Sequence, residues 1–185
     1  MPTFPTSFSI PDSKWKEYEH LRQVSKTKGF SDWLQKITPQ KKHFHSEEAK
    51  YLASYSECYF AITFRKGGWE SLRHYEMLIA GAIPYYLHID QIPENSMYKF
   101  PKALIQEAMS LPGVPNQKRV YNYIINRKYD KILIDFNLFD QDKYFEIRAK
   151  IFDFIQMNLL SSIIANDIIV SSSEDPPKTI LMHSV

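Results

Sequence analysis

Cys58-Tyr59-Phe60-Ala61-Ile62-Thr63-Phe64 runs into Arg65-Lys66-Gly67-Gly68, then into Trp69-Glu70-Ser71-Leu72-Arg73-His74-Tyr75-Glu76-Met77-Leu78-Ile79-Ala80, then into Gly81-Ala82-Ile83-Pro84-Tyr85-Tyr86-Leu87. The first seven residues are apolar, aromatic or β-branched and read as a short buried strand. The glycine pair ends it. Trp69–Ala80 reads as a helix of about three turns, stopped by Gly81 at a C′-like position. Ile83–Leu87 reads as a second strand. A strand, a crossover helix and a strand make a βαβ unit, which predicts parallel pairing and a right-handed crossover.

Outward from this unit the pattern continues. Upstream, Ser46-Glu47-Glu48 opens a helix predicted over Glu47–Glu57, striped by Tyr51, Leu52 and Tyr55. Ser13 suits the cap of a helix carrying Trp15, Tyr18, Leu21 and Val24, and Ser31 the cap of another reaching Ile37. Downstream, Pro101 starts a helix ending near Leu111, Pro112–Pro115 is a turn, and Gln117–Tyr129 is a helix. Lys131–Phe136 reads as a third strand, Tyr144–Asn158 as a long amphipathic helix, and Asp167–Ser171 as a fourth strand. Ser171–Pro177 has linker composition, and Thr179–His183 reads as a strand beginning again. Strands alternating with helices predict an α/β, three-layer Rossmann-like domain with a mainly parallel sheet. The predicted organisation is an extension over 1–45, the α/β domain over 46–172, and a linker with a possible further strand over 173–185.

Composition bounds the function. The chain has 185 residues, a net charge of +2, 44% apolar and 24% charged residues, and a single cysteine, Cys58. That is one ordinary globular domain. A charge near neutrality argues against general nucleic-acid binding. One cysteine excludes an internal disulfide, and its place in an apolar strand makes it a core residue. The first residues have no cationic start and no continuous apolar run, so no signal peptide is expected. No stretch approaches the roughly 20 apolar residues of a membrane span, and a soluble, cytoplasmic protein is expected.

Glycine is used sparingly: there are 5, where ordinary usage predicts about 13. Gly67, Gly68 and Gly81 all surround one predicted helix. The Gly67-Gly68 pair sits at the carboxyl end of a strand and before a helix, where ligands bind in open α/β sheets. A helix start offers N–H groups and partial positive charge to a phosphate. Arg65, Lys66 and Arg73 add full charges, and Ser71 and His74 add hydrogen-bonding groups. Arg73 and Glu76 are three apart, on one helix face. Arg73 is placed to reach a diphosphate, and the Glu76 carboxylate suits a pair of hydroxyls. The bland alternative is a plain Gly-Gly turn beside a surface i,i+3 ion pair worth a few tenths of a kcal/mol.

Other groups carry less. His43 and His45 lack the accompanying carboxylate or thiolate ligands of a metal site and read as loop. Asp90, Glu94 and Asp135 fall near strand ends and read first as solvated loop residues. Tyr85-Tyr86 reads as core. No nucleophile–histidine–carboxylate arrangement stands out.

The stretch Tyr59–Pro84, with Ser71, Arg73, Glu76, Gly81 and Pro84 in an S-x-R-x-x-E-x-x-x-x-G-x-x-P pattern, resembles the exostosin-like glycosyltransferases. The likeness is to the nucleotide-sugar-binding half of their GT-B architecture, and Lys66–Glu76 and Phe100–Ile105 look most like glycosyltransferase-like proteins of large DNA viruses. It covers about residues 46–110. It implies that Lys66, Gly67, Gly68, Ser71, Arg73, His74 and Glu76 bind the donor, with Arg73 on the diphosphate and Glu76 on the ribose or sugar. It implies transfer of a sugar from a nucleoside diphosphate sugar to a hydroxyl acceptor, no required metal or other cofactor, and, if viral, a place in the host cytoplasm. A GT-B enzyme needs a second half, which 185 residues do not accommodate. A non-catalytic nucleotide-binding or assembly module derived from half of such an enzyme is the alternative.

Overall fold

All six residues of Cys58–Thr63 are buried, and they form the central strand of a three-stranded, all-parallel sheet. A strand paired on both edges and covered on both faces has no reason to alternate polar with apolar side chains. The computed structural model describes residues 7–31 and 48–173. In chain order these form α1 (Asp12–Glu17), α2 (Glu19–Arg22), β1 (Lys28–Phe30), α3 (Glu48–Ser56), β2 (Cys58–Thr63), α4 (Leu72–Ile79), β3 (Ile83–Tyr86), α5 (Lys102–Met109), α6 (Gln117–Ile125), α7 (Gln141–Asn158) and α8 (Ser161–Ser173). Single 3-10 turns lie at Ile89–Gln91 and Tyr129–Lys131. The sheet order is β1-β2-β3, with Phe30 opposite Phe60 and Phe60 opposite Ile83. The fold is α/β and Rossmann-like, and β2–α4–β3 is the expected βαβ unit.

Helix α4 is shorter than expected. It starts after Ser71, whose hydroxyl accepts the Arg73 amide at 3.3 Å, so Trp69 and Glu70 belong to the loop. It ends where predicted. Gly81 has φ +80°, and a Cβ there would lie 3.1 Å from the Arg22 backbone.

Two expected strands need correction, and one strand forms where none was expected. Lys28-Gly29-Phe30 is an edge strand too short to show a period, and Ser31 continues its ladder by donating its amide to the Phe60 carbonyl at 2.9 Å. Residues 32–37 of the helix expected to start at Ser31 lie outside the described residues, as do His43, His45 and Thr179–His183. Lys131–Phe136 is not a third strand. It has a strand's alternation, with Ile132 and Ile134 buried and Leu133 67% exposed. Yet the Asp135 amide donates to the Gly113 carbonyl at 2.9 Å, in a turn, and Ile134 packs over Gly29. Asp167–Ser171 is not a fourth strand but the end of α8. Asp12 accepts the Ser162 amide at 3.1 Å and its hydroxyl at 2.7 Å, anchoring that helix at its start. Tertiary anchoring overrides the β-propensity of Ile168-Ile169-Val170.

The core lies over the sheet. Ile147, Ile151 and Ile155 of α7 are fully buried at helical spacing, and the Tyr144 hydroxyl donates to the Tyr59 carbonyl. Residues 7–31 join the same core. Ile10 is fully buried, donates its amide to the Leu159 carbonyl at 2.8 Å, and accepts from the Ser161 amide at 2.9 Å. The Arg22 guanidinium lies 3.7 Å from the Trp15 ring centre, and Arg148 of α7 donates to the Arg22 carbonyl at 2.7 Å. Among the described residues no helix is long and apolar enough to cross a membrane.

Candidate functional site

Parallel strands end on the same side of a sheet, and there the backbone turns away and opens a crevice. At the carboxyl end of β2 that crevice is a cleft of about 220 Å³, lined by Thr63, Phe64, Lys66, Gly67, Gly68, Glu70, Ser71, Arg73 and His74. Six of the seven residues expected to bind a donor meet there. Glu76 does not. Its carboxylate faces α3, where it accepts the Tyr51 hydroxyl at 2.9 Å, and Tyr51 in turn accepts the Tyr55 hydroxyl at 3.2 Å. Same-face spacing on a helix allowed Arg73 and Glu76 to share a ligand, but the neighbouring tyrosines take Glu76.

The loop from Phe64 to Ser71 is held at several points. Tyr86, on the adjacent strand, donates its hydroxyl to the Trp69 carbonyl at 2.5 Å. The Tyr75 hydroxyl donates to the Glu70 carboxylate, which also accepts the Phe8 amide at 3.0 Å. Arg65 lies over the Trp69 ring at 4.8 Å. Burial raises the Tyr75 hydroxyl well above its ordinary value, and the Glu70 carboxylate beside it adds to that. Burial likewise pushes Tyr86 up to about 12. Both phenols stay protonated donors at neutral pH.

The glycine pair is held differently from what its sequence suggests. It lies ahead of the α4 start rather than on it. Neither Gly67 nor Gly68 has a left-handed backbone; a Cβ on Gly67 would meet nothing within 4 Å, and one on Gly68 only the Glu70 carbonyl at 3.9 Å. Their amides have no hydrogen-bond partner among the described residues. Nothing among the described residues requires glycine at these two positions.

Two cationic side chains, Lys66 and Arg73, line the cleft. Burial, and then the Arg73 guanidinium, pull the Lys66 ammonium below its ordinary value. Burial, and then Arg73, also pull His74 down to about 4. His74 is 2% exposed; its Nε2 lies 3.1 Å from the Thr63 hydroxyl, and its ring packs on Tyr86 at 4.9 Å. His74 Nδ1 is buried with no hydrogen-bond partner among the described residues. An imidazole so held is neutral at pH 7 and serves as a fixed dipole, not a charge. Among the described residues, the one carboxylate lining the cleft, Glu70, is engaged with Tyr75 and Phe8.

This arrangement suits an anion of the size of one or two phosphoryl groups. Two cations that repel each other, a helix start and two unoccupied amides all gain from negative charge. Drug-sized ligands occupy about 300–1,000 Å³, so 220 Å³ does not take a whole nucleotide sugar.

Sequence reading missed Thr63, Glu70, Tyr75 and Tyr86. Thr63 left a trace, as the polar residue closing an apolar strand. The Glu70–Phe8 bond spans 62 residues and left none. Asp90, Glu94 and Asp135 are exposed and outside the cleft; Asp135 closes a turn by accepting the Asn137 amide at 3.1 Å. Tyr85 is core, donating to the Pro115 carbonyl at 2.6 Å. Cys58 is buried, and its thiol donates to the Ser54 carbonyl at 3.5 Å. Among the described residues no group of three or more His, Cys, Asp or Glu is placed to hold a metal.

Comparison with known proteins returns no match: no family model, no curated protein and no solved structure is similar to this chain.

Proposed function

We propose that this domain binds the diphosphate of a nucleoside diphosphate sugar, as the donor-binding half of a GT-B-like glycosyltransferase. The observation that carries the binding is the cleft itself: Lys66 and Arg73 crowded at the carboxyl end of β2, beside the amides of Gly67 and Gly68. The resemblance of Tyr59–Pro84 to exostosin-like enzymes supplies the sugar. In transfer, the anion that needs stabilising is the departing diphosphate. Preorganised cations and amides aimed at it act in the transition state without reorganising. Arg73 performs that role, Lys66 assists, and Ser71 holds the helix start in place. Glu76 then acts on the site through Tyr51 and α3 rather than by touching the sugar.

A second reading, a nucleotide-binding module without transfer, draws on a separate observation. A transferase needs a group to take the acceptor proton. In this cleft the Glu70 carboxylate is bonded to Tyr75 and Phe8, and His74, bonded to Thr63 at Nε2 and buried at Nδ1, is held near 4. On the transferase reading the base comes from a second half.

Calorimetric titration with inorganic pyrophosphate, UDP, GDP and TDP tests the binding. Wild type binds at least one of them, with affinity falling as salt rises. Absence of binding by wild type, or equal binding by Arg73→Ala, refutes it. Release of sugar from a bound donor, with or without an added acceptor-binding partner, separates the two readings.

A further inference from the structure

The loop that walls the cleft has a second side. There, between the ends of β2 and β3 and helix α6, lies a pocket of about 440 Å³, whose lining includes Phe64, Arg65, Trp69, His88, Tyr121 and Ile125. Phe64 lines both spaces. We infer that this pocket takes the planar base of the nucleotide whose diphosphate occupies the cleft, an assignment that rests on the phosphate reading above.

Size, lining and position point the same way. Its volume falls in the usual range for small-ligand sites, which are mainly apolar with a few placed polar groups. The apolar walls are aromatic and aliphatic, suited to a flat π-system and poorly suited to a sugar. The Arg65 guanidinium lies over the Trp69 ring at 4.8 Å and places a cation beside an aromatic wall. His88 meets Tyr121 edge-on at 5.6 Å. His88 sits at φ +62°, and its amide donates to the Gln117 side chain at 2.5 Å, which ties the end of β3 to α6. Tyr121 and Ile125 are one helical turn apart, and 44% and 57% exposed. Two large apolar side chains at one lip of a pocket are positions for covering a ligand. Base specificity then resides on α6, outside the segment whose sequence resembles a glycosyltransferase.

The test compares inorganic pyrophosphate with UDP and GDP by calorimetry, in wild type and in Tyr121→Ser/Ile125→Ser. Both substitutions replace exposed side chains; Tyr121→Ser alone serves if circular dichroism shows the pair to be misfolded. The expected result is that one nucleotide binds at least about tenfold more tightly than pyrophosphate, the scale of aromatic stacking on a base. The variant keeps the pyrophosphate affinity and loses the nucleotide's advantage. Equal affinities in wild type, or an advantage that survives in the variant, overturn the base pocket and leave the phosphate cleft standing. Nucleotide binding that depends on Tyr121 without any pyrophosphate binding keeps the pocket and removes the cleft. No binding of either probe removes both.

Discussion

Gly113 and Gly67 are the same residue under opposite constraints. Gly113 has φ +81°, and a Cβ there would sit 2.4 Å from the Asp135 carbonyl and 3.0 Å from the Phe139 amide nitrogen. The chain folds across it, and only hydrogen fits. Gly67 has an ordinary backbone and open space where a Cβ would point. The first glycine is explained by the fold. The second is not, and on the proposed function what explains it approaches from outside. A glycine that the fold does not require, in a chain with few of them, is a sign of a ligand.

The widest gap is expected at Gly113. Gly113→Ala should lose about 4 kcal/mol, combining positive-φ strain with an overlap against backbone that cannot move aside. A stability loss of under about 1 kcal/mol by urea denaturation would break the contrast. Next is His74, where the fold acts on the cleft. Its folded value of about 4 lies below the ordinary 6.5, so as pH falls the unfolded chain takes the proton first. Stability is therefore full above about 6.5 and declines as pH falls toward 4, by up to about 3 kcal/mol for this one group. Denaturation at pH 7 and pH 4.5 should show that decline, and His74→Gln should flatten it. Third is Arg73→Ala. It should weaken pyrophosphate binding by about 2 kcal/mol, as for a lost charged hydrogen bond, with little change in urea midpoint.

The smallest effect sharpens the comparison most. Gly67→Ala should leave stability unchanged or raise it by up to about 1 kcal/mol, because alanine restricts the unfolded chain where the native backbone accepts it. The same variant should bind pyrophosphate more weakly. If it binds normally, the ligand does not come close to this backbone, and the inference from open space to ligand fails.

The βαβ unit was legible because both of its signals are local. An all-apolar run needs no partner to be recognised, and Gly81 marks the end of α4 wherever the helix packs. Most of the cleft was legible for the same reason, since Lys66, Gly67, Gly68, Ser71, Arg73 and His74 lie within nine residues of one another. The Glu76 contact with Tyr51 was not legible because Tyr51 comes from another helix. Strand β1 was invisible because three residues show no period and its pairing is wholly tertiary. Lys131–Phe136 carries a strand's pattern but meets a turn at Gly113, and pattern alone does not reveal whether a ladder partner exists. Helix α8 defeated local propensity because its start is capped by Asp12, about 150 residues upstream.

The pairing of Ile10 with Leu160 and Ser161 has a temporal meaning. During synthesis, β2 and β3 are available for pairing long before residue 160 emerges, while Ile10, Trp15 and Arg22 wait for α7 and α8. The earliest residues made are thus among the last to be fixed, and until then the Trp15 ring lacks the Phe152 ring it packs against. Loops this long close late and leave intermediates exposed to aggregation. A chain stalled on the ribosome before Leu160 should hold its parallel sheet yet remain open to proteases near Trp15.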